Sequence, residues 1–412
     1  MPKTFRPFEP DQTLLLPVNL HDWLPEDHLA YTVATAVDQL DLSRIEQAYD
    51  HSAGGAPAYP PRLMARLLLY GSCVGVTASR AIEKATWEDI PFRVLSGDQH
   101  PDHDTIADFR QRHLDVLDDL FQQVLKLCQR AGLAELGHVA VDGTKVKANA
   151  SKHKAMSYGR MVIREEELRK RTREILEEGI RLDAEEDAKY GKGKRGDELE
   201  GELRFLKVRI AKIKEAKRSL EEEARQKALK EEEEKRKKGR RGKRAGAAGK
   251  DPAAVDPKAQ RNFTDPESRI MKDGATGSFV QAYNVQVAAD AASQVVVAFD
   301  VVQQANDKRQ LLPMLDRVKA NVGRYPKEAS ADTGYLSDEA LAGLEGRGVE
   351  GFVAVQRWRH GKEPPAVRGR CPRGLSRTER MGRKLRTKAG KERYSLRKET
   401  AEPVFGQVKE AR

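Results

Sequence analysis

Cysteine is nearly missing from this 412-residue chain: Cys73, Cys128 and Cys371 are all it has, and no two stand at CxxC spacing. That excludes a disulfide framework and a zinc ribbon, and it fits a reducing compartment. Long apolar runs are missing too. A run such as "ARLLLYG" is far shorter than the ~20 residues that span a bilayer, and the opening "MPKTFRPFEPDQ" has no apolar signal core. No HExxH-type zinc pattern occurs, and "GKGKRG" lacks both the Gly-Lys-Ser/Thr ending and the preceding strand of a phosphate-cradling loop. These absences predict a soluble cytoplasmic protein without a membrane partner.

Charge is what the chain has in quantity. Charged residues make up 34% and hydrophobic ones 39%, so one core cannot run evenly through the whole length. Lys+Arg outnumber Asp+Glu by 75 to 64, a net charge of +11 that favours polyanionic partners, nucleic acid first.

The texture changes along the chain. After scattered Pro and Gly in residues 1–58, "YPPRLMARLLLYGSCVG" sets two prolines at a helix start. "PDHDTIADFRQRHLDVLDDLFQQVLKLCQRAGL" predicts one long amphipathic helix, with Asp104 as N-cap and a stripe through Leu114, Leu117, Leu120, Phe121 and Leu125. With Arg62, Arg66, Arg80, Arg110 and Arg112 among them, these helices form either a helix-turn-helix-like DNA-binding unit or a helical cap on the next domain.

At "LGHVAVDGTKVKANA" the period becomes two, and a strand is expected to end at the turn signal Asp142-Gly143. "FVQAYNVQVAAD" and "QVVVAFDVV" predict a hairpin; "EASADTGY" and "VEGFVAV" predict strands around the helix "SDEALAGLEG". This pattern is a mixed α/β layer. Between the strand clusters, Met161, Leu168, Thr172, Ile175, Gly179 and Leu182, then Leu199, Leu203, Leu206, Ile210, Ile213 and Leu220, follow heptad spacing in charged surroundings. That predicts an antiparallel helical hairpin turning at "YGKGKRGD", against the alternative of charged solvated helix. "KRKKGRRGKRAGAAGKDPAA" then reads as a basic low-complexity linker. The expected domains are a helical N-terminal DNA-binding domain (1–134), a first catalytic segment (135–160), the charged helical-hairpin insertion with its linker (161–260), and the rest of the catalytic domain (261–412).

Asp142 and Asp332 each close a predicted strand, where an Asp-Gly or Asp-Thr-Gly turn is the ordinary reading. A third carboxylate, Glu402, precedes Pro403 and is expected near a helix start or a kink, with Lys409 two turns on along the same face. Three acidic residues meeting at one sheet end give the oxygen ligands that hard divalent cations prefer, and a metal pair neutralises the attacking and leaving oxygens of a phosphodiester.

"VAVDGTKVKANAS", "NVQVAAD", "QVVVAFDVVQQANDKRQLLPML", "SADTGYLS" and "AEPVFGQVKEAR", in this order, resemble the DDE transposases of bacterial insertion sequences, within them the eleven-eighty-two-type group related to the IS-four and IS-five groups. "RNFTDPESRIMKDG" and "PPRLMARLLLYG" carry the resemblance back to about residue 60. The resemblance implies an RNase H-like mixed sheet with flanking helices, interrupted by an insertion, with Asp142, Asp332 and Glu402 as its catalytic metal ligands. It implies two Mg²⁺ ions, with Mn²⁺ as a substitute, and double-stranded DNA as partner, both terminal inverted repeats and target. It also implies a homodimer or higher oligomer on DNA, nucleoid-associated in a bacterial cytoplasm. Lys145, Lys147, Lys409 and the arginine-rich run from Arg368 to Arg397 are then expected on phosphates. Relatives carry Tyr-x2-Arg-x3-Glu-x6-Lys; here Tyr394, Arg397, Glu402 and Lys409 leave one residue more between the arginine and the glutamate. Because relatives continue past this glutamate, the chain is expected to be truncated and Glu402 poorly supported.

Overall fold

The computed structural model describes residues 19–49, 57–190, 198–237, 254–274, 277–356 and 365–410, without the side chains of 21, 117, 178–179, 182–190, 198–202, 234–237 and 410. The predicted hairpin turn at 191–197, the basic linker at 238–253, and the side chains of Gly179, Leu182 and Leu199 therefore lie outside the described residues. Contacts divide the chain into two compact units: Met1–Asp142, Val287–Phe299 and Lys308–Arg412 form one, and Gly143–Gln286 with Asp300–Asp307 the other. No helix among the described residues is long and apolar enough to cross a membrane.

The first unit begins with helices α1 (Leu29–Asp38), α2 (Ser43–Glu46), α3 (Pro61–Cys73), α4 (Ser79–Glu88), α5 (Ile90–Ser96) and α6 (His103–Arg112). Pro61 starts α3, and Leu63, Met64, Leu67 and Tyr70 recur every three or four residues, which lays one stripe into a core shared with Val37, Ile82, Phe92 and Ile106. Gly71 is required there, since a Cβ would stand 2.5 Å from the Val76 carbonyl oxygen. The expected single helix after residue 101 is two. Asp102, not Asp104, caps α6 by accepting from the Thr105 amide, and a 3₁₀ turn at Leu114–Val116 separates α6 from α7 (Leu117–Arg130). The cause is His113, which is buried against Phe109 and Tyr49 and draws the chain inward where a continuous helix would pass straight.

Strand β1 (His138–Lys147) runs through Asp142-Gly143 rather than ending there, a correction to the turn reading. After it come β2 (Ala155–Ser157), the long helices α8 (Tyr158–Tyr190) and α9 (Glu198–Lys237), then β3 (Gln260–Asn262), β4 (Arg269–Lys272), β5 (Phe279–Asp290) and β6 (Val296–Val302). The chain closes with α10 (Leu311–Val322), β7 (Glu328–Ala331), α11 (Asp338–Gly346), β8 (Glu350–Val353), α12 (Arg377–Leu385) and α13 (Lys388–Glu410).

Within the first unit the sheet order is β6-β5-β1-β7-β8, with β7 parallel to both β1 and β8. An antiparallel hairpin on one side of the first strand and two parallel additions on the other is the RNase H-like arrangement. Val139, Val141, Ala329, Ala331 and Val353 alternate onto one face and bury it against Leu311, Met314 and Leu315 of α10 and Leu341 and Leu344 of α11.

In the second unit, α8 and α9 bury Met161, Leu168 and Ile175 against Leu206, Ile213 and Leu220, two series with a period of seven. Tyr158 donates to Glu221 (2.7 Å) and Lys217 reaches Glu165 (2.7 Å), so the helices run antiparallel, as the sequence predicts. Arg261 and Arg269, before and on β4, both pair with Glu223 of α9 and fasten the hairpin to this part of the unit. Truncating Ile213 to Ala is expected to cost about 2–4 kcal/mol. Amide exchange should quicken along Leu203–Leu220 and Met161–Ile175 while α10 keeps its protection.

Candidate active site

Parallel register sets Val141 opposite Ala331, so the next residues, Asp142 and Asp332, are neighbours on adjoining strands. Parallel strands lie ~4.8 Å apart, and alternation turns both carboxylates away from the apolar face that holds Val141 and Ala331. Asp332 directly follows β7 as the N-cap of a 3₁₀ turn (Thr333–Tyr335) and accepts from the Gly334 amide (2.7 Å), which fixes one of its oxygens.

Two carboxylates this close need a cation. Arg397 of α13 donates to Asp142 at 2.5 Å, with the guanidinium side chain 13% exposed and the carboxylate 19%. Burial opposes its charge, yet Asp142, Tyr394 and Asp332 together outweigh that and hold its pKa above the ordinary value. Burial likewise pushes the Tyr394 phenol up; Arg397 opposes this and the two aspartates add to it. The Arg397 Nε is buried without a hydrogen-bond partner, so the guanidinium is not fully satisfied in this position.

Glu402 stands well inside α13, not near its start, and is exposed. Pro403 interrupts the helix ladder by removing the donor that would bond the Glu399 carbonyl. Gln294, in the β5–β6 turn, supplies the missing donor at 2.9 Å. Thr400, Ala401, Val404 and Phe405 are buried, so this stretch of helix is packed on both sides of Glu402, contrary to the expectation of poor support.

Asp332, with Asp142 beside it, opens onto a cleft of about 1010 Å³. Asp332 and Arg397 line it together with Arg383, Arg386, Lys391 and Lys398, and Val355, Leu375 and Tyr394 give it apolar wall. Lys384 pins α12 to the sheet by donating to the Gly351 carbonyl (2.9 Å) and lying 3.9 Å over the Phe352 ring. Gly390 admits the α12–α13 corner, because a Cβ there would collide with the Lys384 carbonyl. At about 100° per residue, Lys391, Ser395, Lys398, Glu402 and Lys409 share one face of α13, and the first three line the cleft. Lys409 is exposed. Helical spacing alone offered that face; nothing in the sequence pointed to Gln294.

Other expected DNA contacts lie elsewhere. Lys145 is half-buried and faces Asp307 at 3.5 Å within the second unit, while Lys147 is exposed. Arg110 donates to the Thr77 carbonyl at 2.5 Å and so clamps the α3–α4 turn, and Arg112 is exposed 5.9 Å over Tyr49. Arg62 and Arg66 are committed to Asp38, which leaves Arg80 exposed on α4. Residues 18–112 carry eight Lys/Arg against fourteen Asp/Glu, whereas residues 365–410 carry fourteen against five. The segment that supplies the cations of the aspartate cleft thus carries a net positive charge, while the first helices carry a net negative one.

Among the described residues, no group of three or more His, Cys, Asp and Glu is arranged to hold a metal ion. The Asp142/Asp332 pair alone suits a hard divalent cation, which binds through one or two carboxylates and keeps waters and substrate phosphates as its other ligands. Arg397 now supplies the positive charge there. A dication and a guanidinium about 4 Å apart repel by roughly 8 kcal/mol at an effective dielectric of about 20, so the two compete for the same carboxylates. Asp142→Asn leaves Arg397 with a neutral partner and is expected to cost about 2–4 kcal/mol, read as a lower thermal unfolding midpoint of the full chain.

No curated protein and no solved structure matches the chain. Two families do. One described as a transposase domain (DUF772) covers residues 18–112, and one described as a transposase DDE domain covers residues 248–412. The second spans Asp332, the cationic cleft and all of α13, and its members generally use divalent metal ions. With the RNase H-like sheet and the paired aspartates, these matches identify the chain as a DDE transposase of the insertion-sequence family.

Proposed function

We propose that this transposase binds the terminal inverted repeats of its insertion sequence and carries out Mg²⁺-dependent strand cleavage and strand transfer. The observation that carries the reading is the side-by-side pair Asp142 and Asp332 at the mouth of a cleft lined by five cationic side chains. Asp142, Asp332 and Glu402 are the proposed catalytic and metal-holding residues. Glu402 is included because it continues the face of α13 that lines the cleft. Bound there, Mg²⁺ would neutralise charge on the attacking and leaving oxygens of the phosphodiester.

The chain's own residues supply orientation. Arg386, Lys391 and Lys398 bind backbone phosphates, which gives affinity without sequence information. Arg383 stiffens one rim, because its guanidinium is already held by the carbonyls of Arg368, Gly369 and Arg370. Tyr394 and Val355 form an apolar wall that keeps water from one side of the strand. The chemistry is two in-line displacements, first by water at the element's end and then by the freed 3′-hydroxyl on target DNA. The first helical domain, the insertion and a homo-oligomeric complex in the cytoplasm complete the proposal.

Supercoiled DNA carrying the gene's own flanking ends, incubated with protein and Mg²⁺, tests it. Nicking and joining to a target plasmid are expected, with Asp332→Ala and Glu402→Ala each reducing cleavage by roughly 10²–10³-fold or more. End binding without nicking at any protein concentration would favour the second reading, a DNA-binding protein without turnover. Full activity in Glu402→Ala would remove that residue from the set.

A further inference from the structure

Arg397 belongs to two places at once. It is the counter-charge of the Asp142/Asp332 pair and also a lining residue of the cationic cleft. We propose that Arg397 is a positioning residue that exchanges partners: it holds the aspartates while no divalent cation is there, and it passes to a backbone phosphate in the cleft when a cation takes the carboxylates. Metal and DNA then bind cooperatively through this one side chain. The inference rests on the metal-binding reading of the two aspartates.

Three observations carry it. The guanidinium sits where a dication would feel strong repulsion, so both cannot keep full contact with the pair. Its Nε is buried and unpartnered, and a phosphate, which accepts forked donation from arginine, would offer better satisfaction. The backbone of α13 has little room to move, because Thr400, Ala401, Val404 and Phe405 are buried beyond Arg397 and Gly390 is wedged against Lys384 before it. The exchange is therefore a side-chain rotation about an anchored helix. Lys391 and Lys398 are already exposed on the cleft face, so the phosphate that receives Arg397 arrives in a field that holds it.

The test compares full-length wild type with Arg397→Gln and Arg397→Lys, each first checked for folding by circular dichroism. Mn²⁺ binding without DNA, followed by electron paramagnetic resonance, is expected to be about 10-fold tighter in Arg397→Gln, while Arg397→Lys stays near wild type. Affinity for a labelled random-sequence duplex, read by fluorescence anisotropy, is expected to rise with Ca²⁺ in wild type by about the same factor relative to Arg397→Gln. Equal or weaker Mn²⁺ binding in Arg397→Gln overturns the exchange, and so does an identical Ca²⁺ response in both proteins. Asp332→Asn separates the two levels. If it leaves Mn²⁺ binding untouched, the metal reading of the aspartates fails and the exchange with it. If it weakens Mn²⁺ binding while Arg397→Gln does not strengthen it, only the exchange fails.

Discussion

Everything at the candidate site depends on the register of β1 against β7. Hydrogen-bonded parallel pairing of His138 with Glu328 through Val141 with Ala331 leaves no choice about the next residues: two carboxylates stand side by side at the end of β7. Their repulsion is a standing cost, and the fold meets it with the guanidinium of Arg397, 255 residues further on in sequence than Asp142. A one-residue slip of β1 would turn Asp142 toward α10 and α11 and Val141 outward while β7 kept its faces, so the hydrophobic face and the polar face enforce each other.

The scaffold around this pair is built to hold α13 in one position. Buried residues on either side of Glu402, the Gly390 corner, the Lys384 anchor and the Gln294 bond to the Glu399 carbonyl all act on the same helix. Pro403 makes the last of these necessary, since it opens a gap in the helix ladder one residue after Glu402. The proline and the glutamine belong to elements that meet only in the folded chain.

Much of this was legible in the sequence because it rested on periodicity. The heptads at Met161, Leu168 and Ile175 and at Leu206, Ile213 and Leu220, the β5–β6 hairpin and the strand before Asp332 all follow from repeat spacing. What was not legible depended on long-range contacts. Asp142-Gly143 looks like a turn locally, and only pairing with β5 keeps β1 extended through it, since β7 ends opposite Val141. His113 breaks the predicted long helix because Tyr49, sixty-four residues earlier, helps to enclose it. Arg110 hydrogen-bonds to the Thr77 carbonyl, a contact between segments thirty-three residues apart that no local pattern marks. Glu402 was singled out by its order relative to the two aspartates and by the resemblance; that Lys391 and Lys398 on the same face of α13 line the cleft needed the structure.

The uneven distribution of charge bears on how the first helical domain would meet the DNA of the proposed function. Fourteen acidic residues against eight basic ones between residues 18 and 112 make it repel a phosphate backbone at long range. Such a surface gains little from sliding along arbitrary duplex. Any hold it takes must come from close fit to base edges or groove shape, interactions that reward one sequence and penalise the rest. Under the proposed function, this acidity would leave general adhesion to the arginines of residues 365–410 and confine the first helical domain to selective contact.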